Sequence, residues 1–116
     1  MADMNLRALL DGRLYGFALR NNCGEAVGFA LYVFHFCTKS PQEECYLNEL
    51  YVEPDSRGKG GGKQLLDAVL LECRQKNVYR ITWLTEPENH AAIKLYEKFG
   101  QGSAWVRYKL VLNEEL

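Results

Sequence analysis

Missing from this 116-residue chain is any apolar run able to cross a bilayer. The longest, Phe29 to Cys37, is interrupted by His35 and falls well short of the roughly 20 residues that a spanning helix needs. Missing too is the basic-then-apolar order of a secretory signal. The start, MADMNLRALLDGR, has no such order, and the expected compartment is the cytoplasm. Charge of one sign is also lacking: 14 Lys and Arg against 15 Asp and Glu leave a net −1. That excludes bulk attraction to nucleic acid or anionic membrane, so any anion binding must be local. The four cysteines (Cys23, Cys37, Cys45, Cys73) form no CxxC pair, and His35 and His90 are the only histidines. A zinc site is therefore not expected. Cys37 and Cys45 flank a hairpin loop and could face each other across it, although buried free thiols suit a reducing compartment better.

What is present belongs to an ordinary globular protein, with 47% hydrophobic and 25% charged residues. The length predicts one domain over 1–116 with a single core. NLRALLD has a helical spacing of leucines and stops at Gly12. RLYGFALRN reads as a strand and NNCGE as a turn. AVGFALYVFHFC is a longer strand, apolar on both faces and hence central. CYLNELYVEP is a third strand ending at Pro54. A helix follows over roughly 62–76, with Leu65, Leu66, Val69, Leu70 and Cys73 in one stripe. YRITWLT is a fourth strand. ENHAAIKLYEKFG is a second helix, with Asn89 as its N-cap and Gly100 past its end. SAWVRYKLVL is a last strand. The order predicts an α/β fold with a sheet of mixed direction.

The most informative stretch is EPDSRGKGGGKQLL, which places Gly58, Gly60, Gly61 and Gly62 with Arg57, Lys59 and Lys63 between a strand and a helix. Glycines there let an anion approach main-chain N–H groups at a helix start. A Walker A loop would need glycine at Arg57 and Ser or Thr at Gln64, and fails on both. A GxGxxG fingerprint would need glycine at Lys63 or Leu65, and also fails.

VEPDSRGKGGGKQLL resembles the acetyl-CoA-binding motif of the GNAT (GCN5-related) N-acetyltransferases, through Arg57, Gly60 and Gly62. Asn89, Ala92, Tyr96, Lys98 and Gly100 resemble a later motif of the same family. The first half, AVGFALY then YLNELYV, is most similar to the diamine (spermidine/spermine) acetyltransferase branch. The resemblance implies a mixed, mainly antiparallel sheet with splayed central parallel strands and flanking helices. It implies acetyl-CoA as co-substrate and no metal. The pyrophosphate would lie on the turn formed by Arg57, Gly58, Lys59, Gly60, Gly61, Gly62 and Lys63. The pantetheine arm and thioester carbonyl would meet the backbone of Leu50, Tyr51 and Val52, with Asn89 and Tyr96 completing the site.

Acetyl transfer to an amine needs a base for the ammonium and an acid for the departing thiolate. The resemblance implies Tyr96 as the acid and Glu49 as the base, Glu49 being equally suited to anchor an ammonium. Glu43, Glu44 and Glu53 are further acids able to bind a cation or simply be solvated. His35 is expected in the core and His90 exposed. The implied activity is acetylation of a primary amine of a small molecule, with polyamine-like and lysine-like amines as first candidates. A protein or aminoglycoside acetyltransferase and a non-catalytic acetyl-CoA-binding module are the alternatives. The sequence starts at what resembles the second helix of the family fold, so the first strand and helix are expected to be lacking. RLYGFALRN would then be a bare edge with Leu14, Tyr15, Phe17 and Leu19 uncovered, and a homodimer is expected to cover it.

Overall fold

The computed structural model describes residues 2–3, 14–37, 42–85, 87–100, 102 and 108–112. They fall into two compact units, Met1–Glu86 and Pro87–Leu116. The first unit is a five-stranded sheet in the order β1-β2-β3-β4-β5, comprising β1 (Ala2–Asp3), β2 (Tyr15–Arg20), β3 (Ala26–Cys37), β4 (Gln42–Val52) and β5 (Ile81–Trp83). Helix α1 (Gly61–Gln75) joins β4 to β5. The first four strands are antiparallel neighbours and β5 runs parallel to β4, as a short strand returning after a helix must.

Strand β3 is central, as its two apolar faces predict, lying between β2 and β4. The β2–β3 turn is closed by Asn21, whose Oδ1 accepts from the N–H groups of Cys23 (2.9 Å) and Glu25 (3.0 Å). Gly24 supplies the φ of +81° that the turn requires. Strand β4 carries one extra residue against β3: the register moves between Leu31 and Tyr32, which face Glu49 and Leu47, leaving Asn48 without an opposite.

One face of the sheet packs on α1. Leu65, Leu66, Val69 and Cys73 are buried on the helix, against Phe17, Leu19, Ala30, Tyr32, Cys45 and Leu47 of the strands. Leu70, expected in the same stripe, is half-buried. Tyr32, 1% exposed, stacks between Tyr15 and Phe17, both with centroids at 5.9 Å. The Lys76 ammonium lies over Tyr15 and Phe34, closing this cluster where α1 ends. Cys45 and Cys73 meet in the core as free thiols. The hydrogen bond to Cys73 and burial push the Cys45 thiol well above the usual range. Buried free thiols are thus found at Cys45 and Cys73, as expected, and the alternative of Cys45 facing Cys37 is not: the ladder sets Cys45 opposite Phe34 and Cys37 opposite Gln42.

The opposite face carries a buried carboxylate. Glu44 is held by the Nε of Arg80, by Thr82 Oγ1 at 3.4 Å and by His35 Nε2 at 3.3 Å. Glu44 is thus neither solvated nor free to bind a cation. His35, expected in the core, is half in solvent, because its ring needs only to reach Glu44 across the strands.

In the second unit, α2 (His90–Tyr96) is capped as the sequence predicts, with Asn89 Oδ1 accepting from Ala92 N–H at 3.2 Å. Gly100 N–H closes its end on Tyr96 O at 3.0 Å. The expected last strand differs. Residues 103–107 lie outside those described, and Tyr108–Leu112 is not a strand, since alternation alone makes none without a ladder.

The expected loss of side-chain cover on β2 is corrected: Phe17 and Leu19, beneath α1, are only 6% and 4% exposed, and Leu14 and Tyr15 are half-buried. Along the edge of the strand, Ala2 and Asp3 pair antiparallel with Leu19 and Ala18. The expected helix over NLRALLD lies outside the described residues. Among the described residues, no helix is long and apolar enough to cross a membrane. Because Phe17 stacks on Tyr32 in the core, Phe17→Ala is expected to cost about 3–5 kcal/mol of stability. Urea unfolding monitored by far-UV circular dichroism measures this, and a loss below about 1 kcal/mol would contradict the packing described.

Candidate functional site

The site begins where β4 leaves its neighbour. Strands β4 and β5 share only three pairs, Cys45–Ile81, Tyr46–Thr82 and Leu47–Trp83. From Glu49 to Val52, β4 remains paired with β3 alone. Successive residues of a strand turn their main-chain groups to opposite sides, and Glu53 N–H reaches Val27 O of β3 at 2.8 Å, so Tyr51 also faces β3 while Leu50 and Val52 face the gap, the Val52 carbonyl being held by Arg57 Nε. The splay expected between the strands on either side of the glycine helix is present.

Beyond Val52 the chain makes one 3₁₀ turn, Pro54–Ser56, and then the glycine turn. Gly58 and Gly60 have φ of +80° and +82°, values that L-residues avoid. Gly60 is the N-cap of α1 and offers no side-chain acceptor. The first backbone N–H of the helix to find a partner is that of Gln64, on Gly60 O at 3.0 Å. Among the described residues the N–H groups of Gly61, Gly62 and Lys63 have no partner, as expected of the first turn, at the positive end of a 15-residue helix. No acidic residue stands in that turn to compete with an anion.

The cations around the turn divide in a way the sequence did not show. Lys63 pairs with Asp67 one turn along, at 2.9 Å. Arg57 donates its Nε to Val52 O at 2.7 Å and rests its guanidinium 5.7 Å from the centre of the Tyr51 ring. Lys59 is exposed and makes no ion pair among the described residues. Of the three expected charges, Lys59 has no ion pair among the described residues, Lys63 is in a solvent-exposed pair, and Arg57 ties the turn to the end of β4 through its Nε.

Glu49 is exposed on β4, opposite Leu31, and its carboxylate makes no hydrogen bond or ion pair among the described residues. Tyr96 and Asn89 belong to the second unit. Asn89 spends its side-chain oxygen on the cap of α2. Tyr96, at the end of that helix, is half-buried, and burial raises its phenol above the usual value of 10. It therefore keeps its proton throughout the neutral range, as a proton donor must. His90, at the start of α2, is exposed as expected. Cys73 is 3% exposed and in the core, so it cannot act as a nucleophile at a surface. Among the described residues no three His, Cys, Asp or Glu side chains gather as metal ligands do.

A feature the sequence reading missed lies beside this strand. Ala18, Arg20, Ala26, Val27, Gly28, Phe29, Tyr51 and Glu53 line a cleft of about 360 Å³. Finding it required the register that sets Phe29 opposite Tyr51, which alternation within each strand does not reveal.

Three comparisons with known proteins bear on this arrangement. The profile of the acetyltransferase (GNAT) family matches residues 2–101. The D-amino-acid N-acetyltransferase HPA3 of Saccharomyces cerevisiae is 34% identical over 98 residues, covering 84% of this chain and 61% of that protein. The chain thus spans about three-fifths of that relative's length. The N-acetyltransferase YhfO of Bacillus subtilis is 32% identical over 111 residues, covering 94% of this chain and 74% of that protein. Among solved structures, an aminoglycoside acetyltransferase from an uncultured soil metagenomic sample superposes with a TM-score of 0.82. It shares 19% identity, over 91% of this chain and 70% of that one, and so speaks for the fold alone. The diamine branch is not singled out among these relatives. With the family profile covering most of its length and the splayed strands and glycine turn in place, the chain belongs to the GNAT acetyltransferase family.

Proposed function

We propose that this chain is an acetyl-CoA-dependent N-acetyltransferase that modifies a primary amine of a small molecule by direct attack. The observation that carries this reading is the row of unpaired N–H groups at Gly61, Gly62 and Lys63, immediately after a strand that has parted from its neighbour. A pyrophosphate suits those donors, and nothing stands within 4 Å of where a Cβ would project from Gly58 or Gly60, so the turn has open space in front of it. Lys59 adds charge there. The parted side of β4, from Leu50 to Val52, suits an extended amide-bearing arm and supplies N–H donors for a polarised carbonyl.

Coenzyme A supplies an activated thioester and a good leaving group. The chain's own residues manage the protons. An alkyl ammonium must first lose its proton, and the uncommitted carboxylate of Glu49 is placed on β4 to accept it, directly or through water. The Tyr96 phenol is held protonated by burial and can give its proton to the thiolate. Similarity to a relative named for D-amino acid substrates supports a small amine as acceptor. No covalent intermediate on the protein is required.

Acetyl-CoA is expected to raise Tm in a thermal shift assay, since a ligand that binds only the folded state stabilises it, and ATP or NAD far less. Gly60→Val, a β-branched residue forced to positive φ, is expected to abolish that shift. Equal stabilisation by ATP would refute the assignment of the turn.

Tyr96→Phe is expected to lower kcat about 10²-fold with acetyl-CoA affinity nearly unchanged. Because burial raises the phenol, the loss of turnover from its ionisation falls at a higher pH than for an exposed tyrosine. The variant should lack that alkaline limb. A thiol-release assay across pH measures both, and unchanged turnover would remove Tyr96 from the reaction. Glu49→Gln is expected to lower kcat/KM about 10²-fold, most at low pH where the amine is most fully protonated. A variant that follows the parent at every pH would exclude Glu49 as base. Stabilisation by acetyl-CoA with no turnover on any amine would make the chain a binding module.

A further inference from the structure

A cleft on the sheet face away from α1 lies beside the glycine turn. Its lining includes the small residues Ala18 and Gly28, both buried, the exposed Ala26 at its rim, and the aromatic residues Phe29 and Tyr51, whose rings lie 5.6 Å apart at 35°. Two charges of opposite sign stand at it. Arg20 is tied to the Gly24 carbonyl at 3.1 Å, while the Glu53 carboxylate makes no hydrogen bond or ion pair among the described residues. Its volume, about 360 Å³, is that of a small-molecule site.

Position ties the cleft to the chemistry. Tyr51 and Glu49 are two residues apart on β4 and so share a face, about 7 Å from one another along the strand. The Tyr51 ring is braced twice, by Phe29 across the ladder and by the Arg57 guanidinium at 5.7 Å. Arg57 is in turn bonded to Val52 O, so the residue that opens the glycine turn also fixes a wall of the cleft.

We propose that this cleft is the acceptor subsite and that it takes a flat apolar group carried by the amine. The acceptor is thus an amine with an aromatic or comparably bulky apolar body, rather than a simple polyamine. This rests on the acetyl-transfer reading for its role in turnover, but binding to the cleft can be measured without it. The amine end reaches toward Glu49 while the apolar body lies between Phe29, Tyr51 and Ala18, burying surface that a linear diamine does not offer. Arg57 is a positioning residue for Tyr51.

The test compares 2-phenylethylamine, butylamine and spermidine as acceptors for the full chain and for Ala26→Phe, which fills the cleft from an exposed position. Phe29→Ala, which removes a wall, is the second variant. Circular dichroism confirms that each is folded. The parent is expected to prefer 2-phenylethylamine over butylamine by about tenfold in kcat/KM. Both variants should lose that preference through a raised KM for the aromatic amine, with KM for acetyl-CoA and turnover of butylamine unchanged. Isothermal titration with 2-phenylethylamine alone should show binding to the parent that Ala26→Phe abolishes. Acetylation of amines with no aromatic preference, or with a preference that survives both variants, overturns the subsite and leaves the transferase reading standing. Binding that depends on Ala26 and Phe29 without turnover of any amine upholds the cleft and overturns the transferase reading. Absence of binding to the parent overturns the cleft.

Discussion

The first turn of α1 rests directly on side chains of the sheet. A Cβ on Gly61 would stand 2.5 Å from Leu19 Cδ2, and one on Gly28, beneath the same leucine, 2.6 Å from Tyr51 O of the neighbouring strand. Gly61 lets the helix start descend onto β2, and Gly28 lets β3 and β4 close up beneath it. The turn before it, with Gly58 and Gly60 at positive φ, is thereby seated at the end of β4 rather than out in solvent. Everything the site does depends on that seat. The N–H groups of the first turn of α1 are aimed from a fixed helix, with Leu19 and Val52 against its first residue.

The second constraint is the extra residue in β4. By opposing Tyr32 with Leu47 and Leu31 with Glu49, the strand takes a bend just where its pairing with β5 ends. The bend and the parting occupy the same few residues, and together they leave one side of Leu50–Val52 without a strand neighbour. The outward face of the same segment carries Glu49 and Tyr51. One stretch of main chain thus has an edge without a strand neighbour among the described residues and presents acid and aromatic side chains from its face.

Much of this was legible in the sequence because it is local. The glycine turn, the helix behind it, the Asn89 cap and the central strand over AVGFALYVFHFC all follow from patterns within a dozen residues. What the sequence could not supply was long-range. The use of Arg57 on Val52 and Tyr51 depends on the turn folding back. The meeting of Cys45 with Cys73, 28 positions apart, depends on α1 crossing β4, and proximity in the chain suggested only Cys37 as a neighbour. The cover on Phe17 and Leu19 comes from β1 and α1, which strand periodicity cannot announce. The strand expected over SAWVRYKLVL shows the converse: alternation in Tyr108, Leu110 and Leu112 is a condition for a strand and does not suffice for one.

Buried Glu44 bears on how reliably the chain finds its fold. The parallel junction of β4 with β5 rests on three residue pairs, too few for apolar packing alone to exclude a slip. Glu44 is satisfied by Arg80 and Thr82 from the β5 segment and by His35 from β3. Sliding β5 by one position would turn Thr82 to the other face and strand a carboxylate in a dry environment, at a cost of about 3–5 kcal/mol. The carboxylate acts as a key that admits a single alignment. Misaligned chains are penalised most at the junction from which the splayed site opens.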